Sequence, residues 1–126
     1  MRTEYTTPLE QPIDSDRNLF SILEERVKRA PDGSLIEYVG DEGARESFTA
    51  REFRDKVVAP AKGLIALRIM PGDAVSIITH TSRQWTALDM AIMSIGALTA
   101  PIHATNSPSQ NSQVLHDYPD TMRFAE

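Results

Sequence analysis

The sequence predicts an α/β fold: a parallel or mixed sheet with crossover helices, preceded by an N-terminal helix and a β-hairpin. Three observations point to it. From Phe53 onward, helical and strand-like spacings alternate as helix, strand, helix, strand, helix, strand, the order of parallel strands joined by right-handed crossovers. The run AVSIIT, Ala74 to Thr79, is nearly all apolar and β-branched, as suits a strand covered on both faces. Cap-forming residues stand where each of the intervening helices would begin.

Residues 1–17 are polar, threonine-rich and broken by Pro8 and Pro12, and read as a flexible arm. Leu19, Phe20, Leu23, Val27 and Ala30 then recur at helical spacing behind Asn18, a suitable cap. Lys28 and Arg29 suit the negative end of that helix, and APDG stops it. SLIEYV alternates as a strand, GDEG turns, and ARESF returns, giving the hairpin.

Thr49 and Glu52 have capping-box spacing and open a second helix. Its inward stripe is Phe53, Val57, Ala61 and Leu64, with Ile65 beside it. Pro60 falls inside this pattern, where it removes a hydrogen bond and crowds the carbonyl of Lys56, so a kink or break is expected. IMPGD makes a turn into AVSIIT. Thr81 and Gln84 repeat the capping-box spacing before a third helix, whose buried stripe is Trp85, Leu88, Ile92 and Ile95. Met90 and Met93 flank that stripe as packing residues. Gly96 ends the helix, and ALTAPIH reads as a short apolar strand covered, like AVSIIT, on both faces. Ser107, Pro108 and Gln110 open a fourth helix that stops near Tyr118, and TMRFAE reads as a last strand.

Composition excludes several functions. The net charge of −5 over 126 residues speaks against a nucleic-acid partner, which needs a basic stripe. No apolar run is long enough to span a membrane, and the N-terminus lacks the apolar core of a secretory signal. There is no cysteine, hence no disulfide or thiol chemistry, and a cytoplasmic location is expected.

Candidate chemistry is sparse. His80, Ser82 and Asp89 lack the glycine-flanked elbow of a serine nucleophile, and Asp89 lies two turns beyond reach of His80; a polar helix cap explains them. His80, His103 and His116 lie far apart for a metal site, although the first two end predicted parallel strands. Arg83 at a helix start could meet an anion, but HTSRQW has no glycine to form a phosphate cradle, and a solvated arginine explains it. No catalytic, cofactor-binding or metal-binding residue is assigned.

The string PGDAVSII, a polar bend, RQW, then ALDMAIMSIGALTAPIHATNSPSQ resembles the N-terminal region of the AMP-forming acyl-CoA synthetases, of the long-chain fatty-acid–CoA ligase branch. Gly96, Ala97, Pro101, Ile102 and Thr105 match that family's pattern, whereas His103 and Ala104 stand where tyrosine and proline are more usual. NLFSILEERVKRAPD and SFTAREFRDKVVAPAKGL resemble the family's first two helices, so the likeness runs from Asn18 to Glu126. It implies a partial domain of a larger fold: residues 18–126 would be the N-terminal α/β subdomain of an adenylate-forming ligase that uses ATP, Mg and CoA. The family's Ser/Thr/Gly-rich loop ending in Pro-Lys-Gly, its acidic residues and its C-terminal lysine do not occur in these 126 residues. The resemblance therefore implies a scaffold segment, inert alone, whose partner is the remainder of such a chain or, failing that, another copy of itself. From the residues themselves, a self-contained, non-enzymatic α/β binding module remains the alternative.

Overall fold

The computed structural model describes residues 6–8, 16–40, 43–80, 82–117 and 122–125. The expected arm thus lies outside the described residues except at 6–8, 16 and 17, as do Thr81 and Tyr118. Among the described residues the elements are, in order, α1 (Leu19–Arg29), β1 (Ser34–Val39), β2 (Arg45–Thr49), α2 (Ala50–Ala66), β3 (Ala74–Ile78), α3 (Arg83–Ser94), β4 (Leu98–Ile102), α4 (Pro108–Asp117) and β5 (Met122–Ala125).

β1 and β2 form the expected antiparallel hairpin. The other strands form a separate sheet in the order β4-β3-β5, with both pairings parallel. The central position of β3 explains its sequence. Val75, Ser76 and Ile77 are all buried, so both faces are covered. Val75 and Ile77 join the main core with residues of α2 and α3. Alternation places Ser76 on the opposite face, together with Ala100 and Ile102 through the register Ser76↔Ala100 and Ile78↔Ile102. The expectation fails for β4. Leu98 is 56% exposed and Pro101 is exposed, because β4 is an edge strand, where a proline's missing N–H is tolerated.

Each helix begins as its local chemistry dictates. In α1 the Ser21 N–H donates to Asn18 Oδ1 at 2.8 Å while the Asn18 N–H donates to Ser21 Oγ at 3.0 Å. In α2 the Glu52 N–H donates to Thr49 Oγ1 at 3.2 Å, and Glu52 Oε2 accepts from the Thr49 N–H at 2.9 Å. Ser107 and Gln110 make the same reciprocal pair for α4. The cap of α3 is Ser82, not Thr81: Ser82 Oγ accepts from the Trp85 N–H at 3.2 Å. The third helical residue there is Trp85, which has no side-chain acceptor to return the bond, so this cap is one-sided.

Further corrections concern α1, α2 and α3. α2 runs unbroken through Pro60. The buried stripe continues on both sides of the proline, Phe53 and Val57 before it and Ala61 and Leu64 after it, and that packing outweighs the local helix penalty. Ile65 lies outside the stripe, 58% exposed. In α3 the most buried residues are Ala87, Ala91 and Ile92, while Trp85, Leu88 and Ile95 are only partly buried. Because α3 packs against both α2 and the sheet, its buried arc is wider than a single stripe. In α1, Leu23 is buried with Phe20 and Val27 packed beside it, whereas Leu19 is 54% exposed.

Both α2 and α3 end in the same six-residue closure. In α3 the Ala97 N–H donates to the Ile92 carbonyl and the Gly96 N–H to the Met93 carbonyl, with Gly96 at φ 79°. In α2 the Ile69 N–H donates to the Leu64 carbonyl and the Arg68 N–H to the Ile65 carbonyl. Here the left-handed position is held by Arg68, at φ 63°. Buried Ile69 packs with Leu64 in the same cluster and fixes that geometry. A non-glycine residue in this region carries a penalty of about 1–2 kcal/mol, part of which glycine returns through its freer unfolded chain. Arg68→Gly is therefore expected to raise stability by about 0.5–1 kcal/mol, read as a higher urea midpoint with unchanged slope.

The α2 cap also couples the fold to acid. The Thr49 N–H, then the Thr49 hydroxyl, hold the Glu52 carboxyl below its ordinary 4.5. A lowered folded-state value means that this contribution is present above pH 4.5 and fades as pH falls through the folded value. Glu52→Gln keeps a neutral acceptor at the same place. Thermal melts from pH 6 to pH 3 are expected to show a shallower acid decline in this variant than in the parent chain; equal declines would contradict the assignment.

Candidate functional site

Among the described residues, a ligand could be held at the carboxyl edge of the parallel sheet, where α/β proteins bind small molecules, or in a cleft between the hairpin, α2 and the start of α3. At the carboxyl edge, His80 follows β3 and His103 follows β4, and both are exposed. His116, on the last turn of α4, is exposed too. Among the described residues no group of three histidine, aspartate or glutamate side chains is arranged to hold a metal ion. Ser82 caps α3 through its hydroxyl, and Asp89 lies two turns along that helix; these residues do not form a nucleophile set with His80.

Nor is there a phosphate cradle among the described residues. The glycines with positive φ are Gly43, Gly72 and Gly96. Gly43 belongs to the hairpin turn, while Gly72 and Gly96 precede β3 and β4 at the amino edge of the sheet, where the Gly72 N–H donates to the Gly96 carbonyl at 2.8 Å. Added bulk at Gly96 would meet Pro71 Cβ at 3.1 Å, whereas at Gly72 it would meet nothing within 4 Å, so Gly96 serves turn packing and Gly72 the turn's backbone conformation. The start of α2 is likewise committed. The Ala50 N–H donates to the Gly33 carbonyl and the Arg51 N–H to the Pro31 carbonyl, and the Glu52 N–H is taken by Thr49.

The cleft is better built. It has a volume of about 340 Å³ and is lined by Phe48 of β2, Lys56 and Pro60 of α2, and Arg83, Gln84, Ala87 and Leu88 of α3. A second hollow of about 440 Å³ adjoins it across Phe48 and Lys56 and is bordered by Glu52 and Asp55. Two cations sit over aromatic rings at its edge. Lys56 Nζ lies 4.6 Å from the Phe48 ring centroid, and Arg83 Cζ lies 4.3 Å from that of Tyr38. The two rings are themselves in contact, 5.2 Å apart and tilted by 40°. Tyr38 is fixed in turn by its hydroxyl, which donates to Glu46 Oε2 at 2.5 Å. That bond, with the nearby Glu46 charge, raises the Tyr38 pKa, against a smaller opposite pull from Arg83.

Arg83 is thus a half-buried side chain held over a ring. Its ring partner lies on β1, 45 residues earlier (83 − 38), and no spacing rule links the two. Lys56 and Phe48, from adjoining elements, were equally unmarked by pattern. Elsewhere the helices are joined by Arg54 Nε and Glu24 Oε1 at 2.6 Å, and Glu24 holds the guanidinium more firmly protonated.

Residues 23–124 match the family model of the AMP-binding enzymes. The long-chain-fatty-acid–CoA ligase FadD15 of Mycobacterium tuberculosis is 32% identical over 123 residues, 98% of this chain and 20% of that protein. Among solved structures, the N-terminal domain of FACL13 from Mycobacterium tuberculosis superposes with a TM-score of 0.75 at 23% identity, covering 86% of this chain and 26% of that one. The N-terminal subdomain of NpsA from Klebsiella oxytoca gives 0.73 at 22% identity, covering 85% and 27%. The chain spans about a fifth of the length of the curated relative it matches. The expected likeness to AMP-forming acyl-CoA synthetases is therefore met along nearly the whole sequence, and the chain belongs to the AMP-binding enzyme family.

Proposed function

We propose that this chain is the N-terminal scaffold segment of an ATP-dependent acid–thiol ligase acting on a long-chain fatty acid, and that it is inert alone. The supporting observation is the 32% identity to a long-chain-fatty-acid–CoA ligase over 98% of this chain. In the parent reaction a carboxylate oxygen bonds to the α-phosphorus of ATP and pyrophosphate leaves. The CoA thiol then attacks the acyl carbon and releases AMP, giving acyl-CoA. Such steps depend on positioned donors that neutralise phosphate charge. The described residues offer neither a glycine cradle at the carboxyl edge of the sheet nor a three-ligand group for Mg, so no step is assigned to them. Their role on this reading is architectural: a sheet and three packed helices on which the rest of a ligase is assembled.

The 126-residue chain is expected to show no heat of binding with Mg-ATP and no palmitate-dependent pyrophosphate release in the presence of CoA. Replacing the matching stretch of FadD15 with this chain is expected to preserve palmitate-dependent acyl-CoA formation. Micromolar ATP affinity of the isolated chain would overturn its inert role, and a folded but inactive chimaera would overturn the ligase reading.

The partner on this reading is the remainder of such a ligase, and an isolated chain associates with itself instead. An apolar surface supports this. Ile65, Leu67, Met70 and Leu98 are 54–61% exposed, and the turns that carry Met70 and Leu98 are joined where the Leu98 N–H donates to the Asp73 carbonyl, next to the Gly72–Gly96 bond. Clustered apolar surface of this kind promotes association. Light scattering over a hundredfold dilution is expected to show a concentration-dependent dimer that Leu98→Lys weakens. A particle that stays monomeric throughout would favour the self-contained module.

A further inference from the structure

We propose that the cleft between β2, α2 and α3 is a binding site for an amphipathic organic anion, a carboxylate carried on an apolar body. Its volume, about 340 Å³, falls at the lower end of small-molecule sites. Phe48, Pro60, Ala87 and Leu88 supply apolar walls, and the charged side chains at it, Lys56 and Arg83, are both cationic. Neither cation has a carboxylate within ion-pair distance among the described residues. Glu52, one turn before Lys56, is committed to the Thr49 cap through Oε2.

The rings hold the two cations in place, although the Glu52 charge also acts on Lys56. Lys56 rests over Phe48 and Arg83 over Tyr38, and those rings touch each other. A guanidinium held over a ring still has N–H groups to offer, and their planar fork suits the two oxygens of a carboxylate. Arg83 is also the first residue of α3, whose amino end adds a weaker attraction for negative charge. The site therefore has two cations beside an apolar hollow. A cation would meet two like charges, and a neutral alcohol would leave both unpaired.

Octanoate is the probe, titrated into the isotopically labelled 126-residue chain and followed by amide shifts. Saturable shifts centred on Phe48, Lys56, Arg83 and Ala87 are expected at millimolar or lower concentration, the range a ligand of this size permits. Octan-1-ol and octyltrimethylammonium are expected to bind at least tenfold more weakly. The double variant Lys56→Gln with Arg83→Gln should lose at least tenfold in octanoate affinity while its circular dichroism and melting temperature stay near those of the parent. Lys62→Gln, an exposed charge outside the cleft, should change nothing. Equal binding of octan-1-ol, an equal loss in Lys62→Gln, shifts that map elsewhere, or no saturation would each overturn the proposal. If the double variant unfolds, the ligand comparison on the parent chain and the Lys62 control still decide it.

Discussion

The packing of α2 against α3 is the contact on which the rest of the structure depends. α3 presents Ala87 and Ala91, 5% and 0% exposed, within the same cluster as Phe53, Val57, Ala61 and Leu64 of α2. Small residues on one helix let larger ones on the other fill the space between their axes. Burying a residue such as Val57 or Ile92 contributes about 1.5–3 kcal/mol. The first helix, the hairpin and the edge of the sheet attach to this pair. α1 packs on both helices, the hairpin on α2, and α3 rests on the sheet through β4. Bulk at Ala87 or Ala91 would thus separate α2 and the hairpin from the sheet.

The same contact accounts for the unbroken course of α2. Proline removes one hydrogen bond from the helix, and in an isolated peptide that penalty is decisive. Here four buried positions spread over three turns keep both halves in one helix. The capping boxes act at a different level. They select where α1, α2 and α4 begin, while the core decides that these segments persist.

What could be read from the sequence follows this division. The caps at Asn18, Thr49 and Ser107, the β3 strand and the parallel order all rest on neighbours close in the chain, and all were legible. Ser82 was displaced by one residue because Thr81 and Gln84 carry the same spacing as a true box. Ala87 and Ala91 were overlooked because alanine carries little weight in a hydrophobic stripe, although at a helix–helix contact small size is what matters. β4 was read as covered on both faces because an apolar edge strand and an apolar central strand look alike until the pairing is known. The cation–ring ladder of Arg83, Tyr38, Phe48 and Lys56 joins three separate elements, and no local pattern encodes such a meeting. Arg68 was unmarked for the opposite reason: the left-handed closure normally announces itself with glycine.

On the proposed reading, the strand order also bears on how the segment would serve a ligase. In the order β4-β3-β5 the chain moves from β3 to one neighbour and then returns across it to the other. Right-handed crossovers in opposite directions place α3 and α4 on opposite faces, and in such sheets the crevice opens at the carboxyl ends beside the central strand. At that edge this chain presents exposed His80 and His103, whereas its conformationally free glycines, Gly72 and Gly96, are bound into turns at the opposite edge. A nucleotide seated in the crevice would find backbone dipoles but few fixed donors from these residues. On the proposed reading, the phosphate-binding groups must therefore be brought to this edge by other parts of a ligase. The packed α2–α3 pair then has a definite task, which is to keep β3 rigid enough for that edge to be a fixed reference.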